Sequence, residues 1–498
     1  MFSKVLVANR GEIAVRVMRT LREMGIASAT VYSEADEGAL HVLTADEAVA
    51  LGDPTPSESY LQISKIIDAA RQTGAEAIHP GYGFLSENPE FARAVTDAGL
   101  TFIGPPAEVL AALADKIEAR RLASEGGAPI TPGTDSAIAE PAALAREAER
   151  IGYPVLIKAA AGGGGKGMRV VDSAEDFAEA ARQASSEAAS AFGDGAIFLE
   201  RYLSRPRHVE FQILADGRGD VVHLFERECS IQRRHQKIIE ETPSPALDEE
   251  LRARMGEAAV AVARAAGYVN AGTVEFLLDE DGSFYFMEVN ARLQVEHPVT
   301  EMITGLDLVR CQLEIAAGGA LGLQQQDLAR RGHAIECRIY AEDPAQGFLP
   351  APGKVLLAKV PEGPGLRYDR GVVSGSQVPL HYDPILGKLI AHAPTRAAAI
   401  DRMIRALEEC VVLGVPTPIE FMIEVLDSGP FREGATHTAF IDEHFAGWAQ
   451  DRAGDATAAI GYVLDQMEGP GAAAAAGASA APDVERFNPW QRLGRWEI

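Results

Sequence analysis

The chain opens on a short apolar run, Val5-Leu6-Val7-Ala8, followed by a polar turn, Asn9-Arg10-Gly11-Glu12. Ile13, Val17, Met18, Leu21 and Met24 then recur at helical spacing, so the pattern predicts a helix over 13–24 with Gly25 as its stop. A strand at Ala29-Thr30-Val31-Tyr32 follows. A second helix–strand pair is read at 60–71 and Ala75-Glu76-Ala77-Ile78-His79, and a third pair ends at 100–105. Strands that alternate with helices point to a mostly parallel sheet over roughly the first 110 residues. From about 113 to 200 the pattern changes: strands at 153–158 and 168–171 flank a glycine-rich loop, and a helix over 175–191 leads to a strand at 196–200. Residues 204–446 read as strand-rich and then mixed, with Pro-Gly punctuation at 350–353 and 361–365.

Length and charge narrow the class. A chain of 498 residues exceeds one hydrophobic core, so about three or four domains are expected. Its 47% hydrophobic and 24% charged composition is that of a globular protein. A formal net charge of -26 repels nucleic-acid backbones and anionic membranes, which excludes both as main partners. Cys229, Cys311, Cys337 and Cys410 form no C-x-x-C pair, and no apolar stretch approaches the ~20 residues of a membrane span. The opening residues lack a signal-peptide layout. The expectation is a soluble, cytoplasmic enzyme or enzyme subunit. Residues 472–481 contain eight alanines, a low-complexity linker, and all three tryptophans (Trp448, Trp490, Trp496) lie in the last 51 residues, which suggests a segment with a separate job.

Candidate chemistry concentrates in a few segments. Gly162, Gly164 and Gly167 match G-x-G-x-x-G, but the loop leads into a strand, whereas the dinucleotide fingerprint opens a helix. Nor does it end in the Lys-Ser/Thr of a Walker loop. Gly162, Gly163, Gly164, Gly165 and Gly167 instead form a strand–loop–strand tip whose backbone N–H groups can approach an anion. A bare hairpin tip is the other reading; Lys158 and Lys166 favour triphosphate binding.

The segment 272–290 is the most informative. Asp281-Gly282 reads as a two-residue hairpin turn, which sets Glu280 against Ser283 and, counting outward, Glu275 directly opposite Glu288, with Asn290 on the same face. Opposed carboxylates need a cation between them, and Mg²⁺ suits a site that shares carboxylates with nucleotide phosphates. Neutralisation by Arg292 is the competing reading. If the strand continues, Arg292, Gln294 and Glu296 extend the same face, and Glu296 beside an arginine is either a general base or a plain salt bridge. The basic run Arg233-Arg234-His235-Gln236-Lys237 is either a solvated face or an anion site between apolar strands. His79 to Asn88 is a glycine-bearing loop after a strand, where parallel sheets place ligands, although His79 alone could be a packed histidine. Arg338 alternates on a strand and could pair with Glu336.

Taken together, Ala8 to Ala14, His79 to Asn88, the glycine loop, Arg234-His235-Gln236-Lys237, Glu288 to Pro298 and Glu336-Cys337-Arg338 resemble the biotin carboxylase family over residues 1 to 446. The resemblance implies an ATP-grasp fold of α/β and α+β class. It comprises an N-terminal parallel-sheet (Rossmann-like) domain at 1–112, a small glycine-lid domain at 113–203, a catalytic core at 204–330 and a C-terminal mixed domain at 331–446. A linker and aromatic tail at 447–498 go beyond the minimal family member and suggest partner docking or entry into a further domain.

It also implies roles. Lys116 and Lys158 contact ATP phosphates under the glycine lid, and Glu200, Leu203, His208, Gln232 and His235 line the adenine and ribose. Glu275 and Glu288 hold Mg²⁺ (or Mn²⁺), with Asn290 beside them. Lys237, Arg292, Gln294 and Val295 bind bicarbonate. Glu296 deprotonates it for attack on the γ-phosphate, giving carboxyphosphate. Arg338 stabilises the biotin enolate, and Tyr82 lies near the biotin ring. No Ala-Met-Lys-Met biotin-attachment sequence occurs in these residues, so biotin is expected on a separate carrier protein or domain. A carboxyltransferase subunit is the other expected partner, in a homodimer or a larger acyl-CoA carboxylase complex of fatty acid metabolism. The alternatives are another ATP-grasp carboxylate ligase and a non-catalytic nucleotide-binding scaffold.

Overall fold

The computed structural model describes residues 1–134, 136–138, 140–160, 168–233, 236–449, 460–461 and 463–464. The chain forms two compact units, Met1–Trp448 and Ala449–Ile498. In the second, the described residues Ile460, Gly461, Val463 and Leu464 are helical and exposed. Trp448 packs edge-on against Phe421 at 5.3 Å and donates to Glu424 at 2.8 Å, so the first unit ends two residues beyond the break expected from sequence. No helix among the described residues is long and apolar enough to cross a membrane.

Five parallel strands build the N-terminal sheet: β1 (Lys4–Val7), β2 (Ala27–Ser33), β3 (Glu47–Gly52), β4 (Ala77–His79) and β5 (Thr101–Phe102), in the order β3-β2-β1-β4-β5. β1 is central, and Val5, Leu6 and Val7 are fully buried, as a strand covered on both faces requires. The edge strand β3 escaped the sequence reading because it is largely exposed and its Val49 and Leu51 alternate only with alanines, which gives no apolar–polar contrast. The chain reverses its direction of growth between β1 and β4, the place where such sheets open a crevice. There the Asn9 amide donates to the carbonyls of Pro80 and Tyr82, at 2.7 and 2.8 Å. Gly81 lies beneath it with φ +64°, and a Cβ there would come within 2.9 Å of that amide.

The lid sheet consists of β6 (Val155–Ala159), β7 (Arg169–Val171) and β8 (Ile197–Arg201), antiparallel in the order β7-β6-β8. Helices Pro141–Ile151 and Ala174–Phe192 cover it around Leu144, Ile157, Phe177 and Leu199. The loop between β6 and β7, with its glycines, lies outside the described residues.

The largest sheet takes its strands from β9 (Arg207–Ala215), β10 (Val221–Arg233), β11 (Gln236–Thr242), β12 (Asn270–Leu278), β13 (Phe284–Asn290) and β14 (His333–Tyr340). Short strands β15 (Glu342–Asp343), β16 (Leu349–Pro350), β17 (Gly353–Lys354) and β18 (Leu357–Lys359) follow, then β19 (Leu366–Arg370), β20 (Gln377–Val378), β21 (Ile385–Ala393) and β22 (Val411–Leu413). The eight-stranded order is β13-β12-β9-β10-β11-β14-β21-β19, so one continuous sheet crosses position 330. Period-two alternation sorts its faces. Val209, Phe211 and Ile213 of β9 and Val274, Phe276 and Leu278 of β12 join Met255 and Ala259 of helix Glu249–Ala265 in an apolar core. His208, Glu210, Gln212, Thr273 and Glu275 point the other way, buried and polar.

The β12–β13 hairpin sets Glu275 opposite Glu288, as the sequence reading proposed, but by a different route. The turn is not the two-residue kind: Asp279 N–H donates to the Ser283 carbonyl at 2.8 Å, and Gly282 N–H to the Asp279 carbonyl at 3.1 Å. A three-residue loop with Gly282 at φ +81° results, which offsets the pairing by one residue from Leu278↔Phe284 to Phe276↔Phe286. A bulge at Met287 then adds one residue and restores Glu275↔Glu288.

Phe276 is fully buried where β12 meets the helix layer. Phe276→Ala is expected to cost about 3–5 kcal/mol of stability, read from chemical denaturation of the purified chain.

Candidate active site

One ammonium group organises the polar face of the large sheet. Lys237 Nζ donates to Glu210 at 2.6 Å, Glu275 at 2.9 Å and Glu296 at 2.7 Å, three carboxylates that are almost wholly buried. Burial opposes its charge, but Cys229 and the three carboxylates outweigh that and hold Lys237 well above the ordinary lysine range. Glu210 is braced from behind by Arg227 Nε at 2.5 Å. That buried guanidinium also donates to Gln212, Thr300 and Thr273. Glu275 accepts further from His208 Nε2 at 2.9 Å and Gln294 Nε2 at 3.1 Å. Burial alone would raise Glu275; Lys237 and His208 reverse this and keep it well below the usual carboxylate range.

Glu296 precedes helix His297–Thr304 and bridges two cations, Lys237 through Oε1 and Arg338 Nη2 through Oε2 at 2.9 Å. Burial and Glu210 push its acidity down, yet Lys237, Arg338 and Arg227 prevail, so its pKa is lowered and it stands ionised at neutral pH. Arg338 also binds Glu240 at 2.5 Å, and the expected alternative pairing with Glu336 does not form.

Glu288 contrasts with its opposite number. It makes no hydrogen bond or ion pair among the described residues. Burial first, and then repulsion from Glu275, raise its pKa, against the pull of Lys116 and Lys158. Lys116 is the first residue of helix Lys116–Glu125, and burial followed by Lys158 lowers its pKa. Lys158 Nζ donates to Glu200 at 2.9 Å, and Glu200 accepts from Arg120 at 2.6 Å. Leu203, His208 of β9 and Gln232 of β10 are also buried.

Arg292 does not neutralise the Glu275–Glu288 pair. β13 ends at Asn290, so the alternation expected through 292, 294 and 296 gives way to an irregular turn. Within it Arg292 reaches Glu87 at 2.8 Å, Gln294 at 2.8 Å and Asn290 at 3.1 Å. Val295 offers its carbonyl to Lys388 at 2.7 Å. Lys388 also pairs with Glu12 at 3.2 Å, and Tyr82 donates its hydroxyl to Glu12. His79 is a packed histidine: it accepts from Gly81 N–H, meets Gln312, and burial lowers its pKa to about 4. Gly162, Gly163, Gly164, Gly165, Gly167, Arg234 and His235 lie outside the described residues.

Residues 1–110 match the family model for the biotin carboxylase N-terminal domain and 336–443 that for its C-terminal domain. Residues 115–324 match the ATP-binding domain of the carbamoyl-phosphate synthase L chain. Biotin carboxylase from Nostoc sp. is 51% identical over 89% of this chain and 99% of its own. The chain belongs to the biotin carboxylase family. The chloroplastic biotin carboxylase of Arabidopsis thaliana is 52% identical over 89% of this chain and 82% of its own. Among solved structures, a Campylobacter jejuni biotin carboxylase in a β,γ-ATP complex superposes with TM-score 0.87 at 44% identity, covering 89% of this chain and 99% of that one. The biotin carboxylase domain dimer of Hydrogenobacter thermophilus 2-oxoglutarate carboxylase, solved with MgADP, ADP and bicarbonate, gives 0.88 at 45% identity over 91% and 100%. ATP-dependent carboxylation of biotin is the activity of this ATP-grasp ligase family.

For a biotin carboxylase chain, the sequence reading missed Glu87, Glu210, Arg227, Glu240 and Lys388. His208-Val209-Glu210-Phe211-Gln212 does carry a legible signal: polar residues at every second position of an apolar strand. The others have partners tens to hundreds of residues away, and no local pattern marks them.

Lys237→Met would strand three buried carboxylates. We expect a loss of about 3–5 kcal/mol at neutral pH. The deficit should shrink as pH falls toward about 5, because the stranded groups regain protons there; only below about pH 5 does wild type begin to lose the benefit of its depressed Glu275. Denaturant midpoints across pH check this.

Proposed function

We propose that this chain performs the first half-reaction of a biotin-dependent carboxylase, carboxylating biotin carried on a separate protein or domain. The observation that carries the reading is the shared nitrogen of Lys237, which joins Glu275 of the opposed carboxylate pair to Glu296, an ionised base. Lys116 and Lys158 hold the ATP phosphates under the Gly162–Gly167 lid. Glu200, Leu203, His208, Gln232 and His235 surround the base and ribose.

The donors suit a magnesium or manganese ion: Glu288 has no protein partner among the described residues and is repelled by the carboxylate it faces. Glu275 and Glu288 would hold the ion, with Asn290 beside them, and its chemistry there is neutralisation of phosphate charge. Lys237, Arg292, Gln294 and Val295 bind bicarbonate. Glu296 takes its O–H proton, and the freed oxygen attacks the γ-phosphorus, expelling ADP and forming carboxyphosphate. Carboxyphosphate breaks down to CO₂ and phosphate, the phosphate removes the ureido proton of biotin, and the resulting enolate attacks CO₂. Arg338, held between Glu240 and Glu296, meets the enolate charge, with Tyr82 near the ring. A carboxyltransferase subunit then passes the carboxyl group to its acceptor, in an assembly built on a homodimer or a larger complex. That subunit sets the acceptor, an acyl-CoA in the reading favoured here. The cytoplasm is the proposed compartment.

Bicarbonate-dependent ATP cleavage stimulated by free biotin tests the assignment; turnover with an amino acid and none with biotin would replace it with another carboxylate ligase. Glu296→Gln should lower biotin carboxylation by about 10²–10⁴-fold while ATP still binds, measured by steady-state kinetics and nucleotide titration. Ending the chain after Trp448 should leave free-biotin carboxylation within about twofold and weaken assembly with the other subunits, read by co-purification.

A further inference from the structure

Behind Arg338 lies a pair of carboxyl groups to which the reaction above gives no role. Glu240 of β11 and Glu336 of β14 stand directly opposite each other, both with no exposed surface. Three of their four oxygens, Glu240 Oε2 and both of Glu336, are buried without a hydrogen-bond partner among the described residues. The fourth, Glu240 Oε1, receives Arg338. Two facing acceptors cannot satisfy one another; one proton makes them donor and acceptor.

The charged groups around Glu336 decide which carboxyl carries it. Glu240 faces it from β11, Arg338 from its own strand, and Lys388 from β21, the strand paired on its other side. Glu296 lies at the start of helix His297–Thr304, which packs against β14. His297 of that helix is kept neutral, by burial first and then by Lys388, and Glu12 of helix Gly11–Glu23 lies beyond Lys388. Both cations are engaged elsewhere, Arg338 with Glu240 and Glu296, and Lys388 with Glu12 and the Val295 carbonyl. Glu240 has a guanidinium at 2.5 Å, whereas Glu336 has no ion-pair partner among the described residues.

We propose that Glu336 is a positioning residue that, as a neutral carboxylic acid, donates to Glu240 and keeps Glu240 the anion on which Arg338 is seated. Burial, Glu240 and Glu296 raise Glu336 well above the usual carboxyl range, against Lys388 and Arg338. The consequence for turnover rests on the role of Arg338 at the biotin enolate. As pH rises and Glu336 ionises, a second anion competes for the guanidinium and repels Glu240, so seating is lost on the alkaline side. Burial, working against Arg338, raises Glu240 itself to about 7, so seating also weakens on the acid side as Glu240 gains a proton.

The test uses the full chain with Glu336→Gln, which keeps a donor, and Glu336→Leu, which removes it. Infrared difference spectra at neutral pH should show a carboxylic-acid C=O stretch in wild type that Glu336→Gln lacks. With free biotin, Glu336→Gln should stay within about threefold of wild type at neutral pH and keep its activity to a higher pH than wild type does. Glu336→Leu should raise the biotin KM about tenfold or more, while bicarbonate-dependent ATP cleavage without biotin stays within about threefold. Absence of the infrared signal, or an unchanged alkaline limb in Glu336→Gln, overturns the proposal even if the leucine variant does not fold. A mistaken assignment of Arg338 reads differently: Arg338→Ala would then retain biotin turnover, and the shared proton would stand on the infrared signal.

Discussion

A single lysine nitrogen holding three buried carboxylates is the constraint on which the site rests. Glu210, Glu275 and Glu296 come from β9, β12 and the turn after β13, and in a weakly polarisable interior they cannot all be ionised without a cation among them. Lys237 supplies it, with Arg227 behind Glu210 and His208 beside Glu275. The same contacts that make the crowd tolerable also make it chemically useful. They leave Glu296 ionised inside the protein, where a base is hardest to keep charged.

The site is assembled from distant parts of the chain. Tyr82 and Glu12 belong to the loop after β4 and to the first helix, Lys388 to β21 of the large sheet, and Val295 to the turn that carries Gln294 and Glu296. A run of three contacts therefore ties the crevice between β1 and β4 to that turn. Asn9 anchors the loop that bears Tyr82 at one end of that run. The position of the Val295 turn thus draws on parts of the first unit that are far apart in sequence.

Much of this was legible in the amino-acid sequence, and the failures have physical causes. The parallel first sheet, the lid hairpin and the polar face of β12 follow from local periodicity, which is a property of neighbouring residues. The edge strand β3 has too little buried surface to leave a pattern. Periodicity alone places Arg292 on an extended strand, but the backbone turns after Asn290 and delivers the side chain to Glu87, 205 positions earlier. Glu240 and Lys388 look like ordinary strand residues until the sheet order sets them around Glu336 and Arg338.

The Glu275–Glu288 pairing illustrates how a right answer can conceal two errors of opposite sign. The loop at Asp279–Ser283 shifts the ladder one way and the extra residue at Met287 shifts it back. Structurally the bulge works as a phase corrector between the tip of the hairpin and its chemical end. Evolution can therefore lengthen or trim the tip by a residue without turning Glu275 away from Glu288, provided the compensating kink is gained or lost with it.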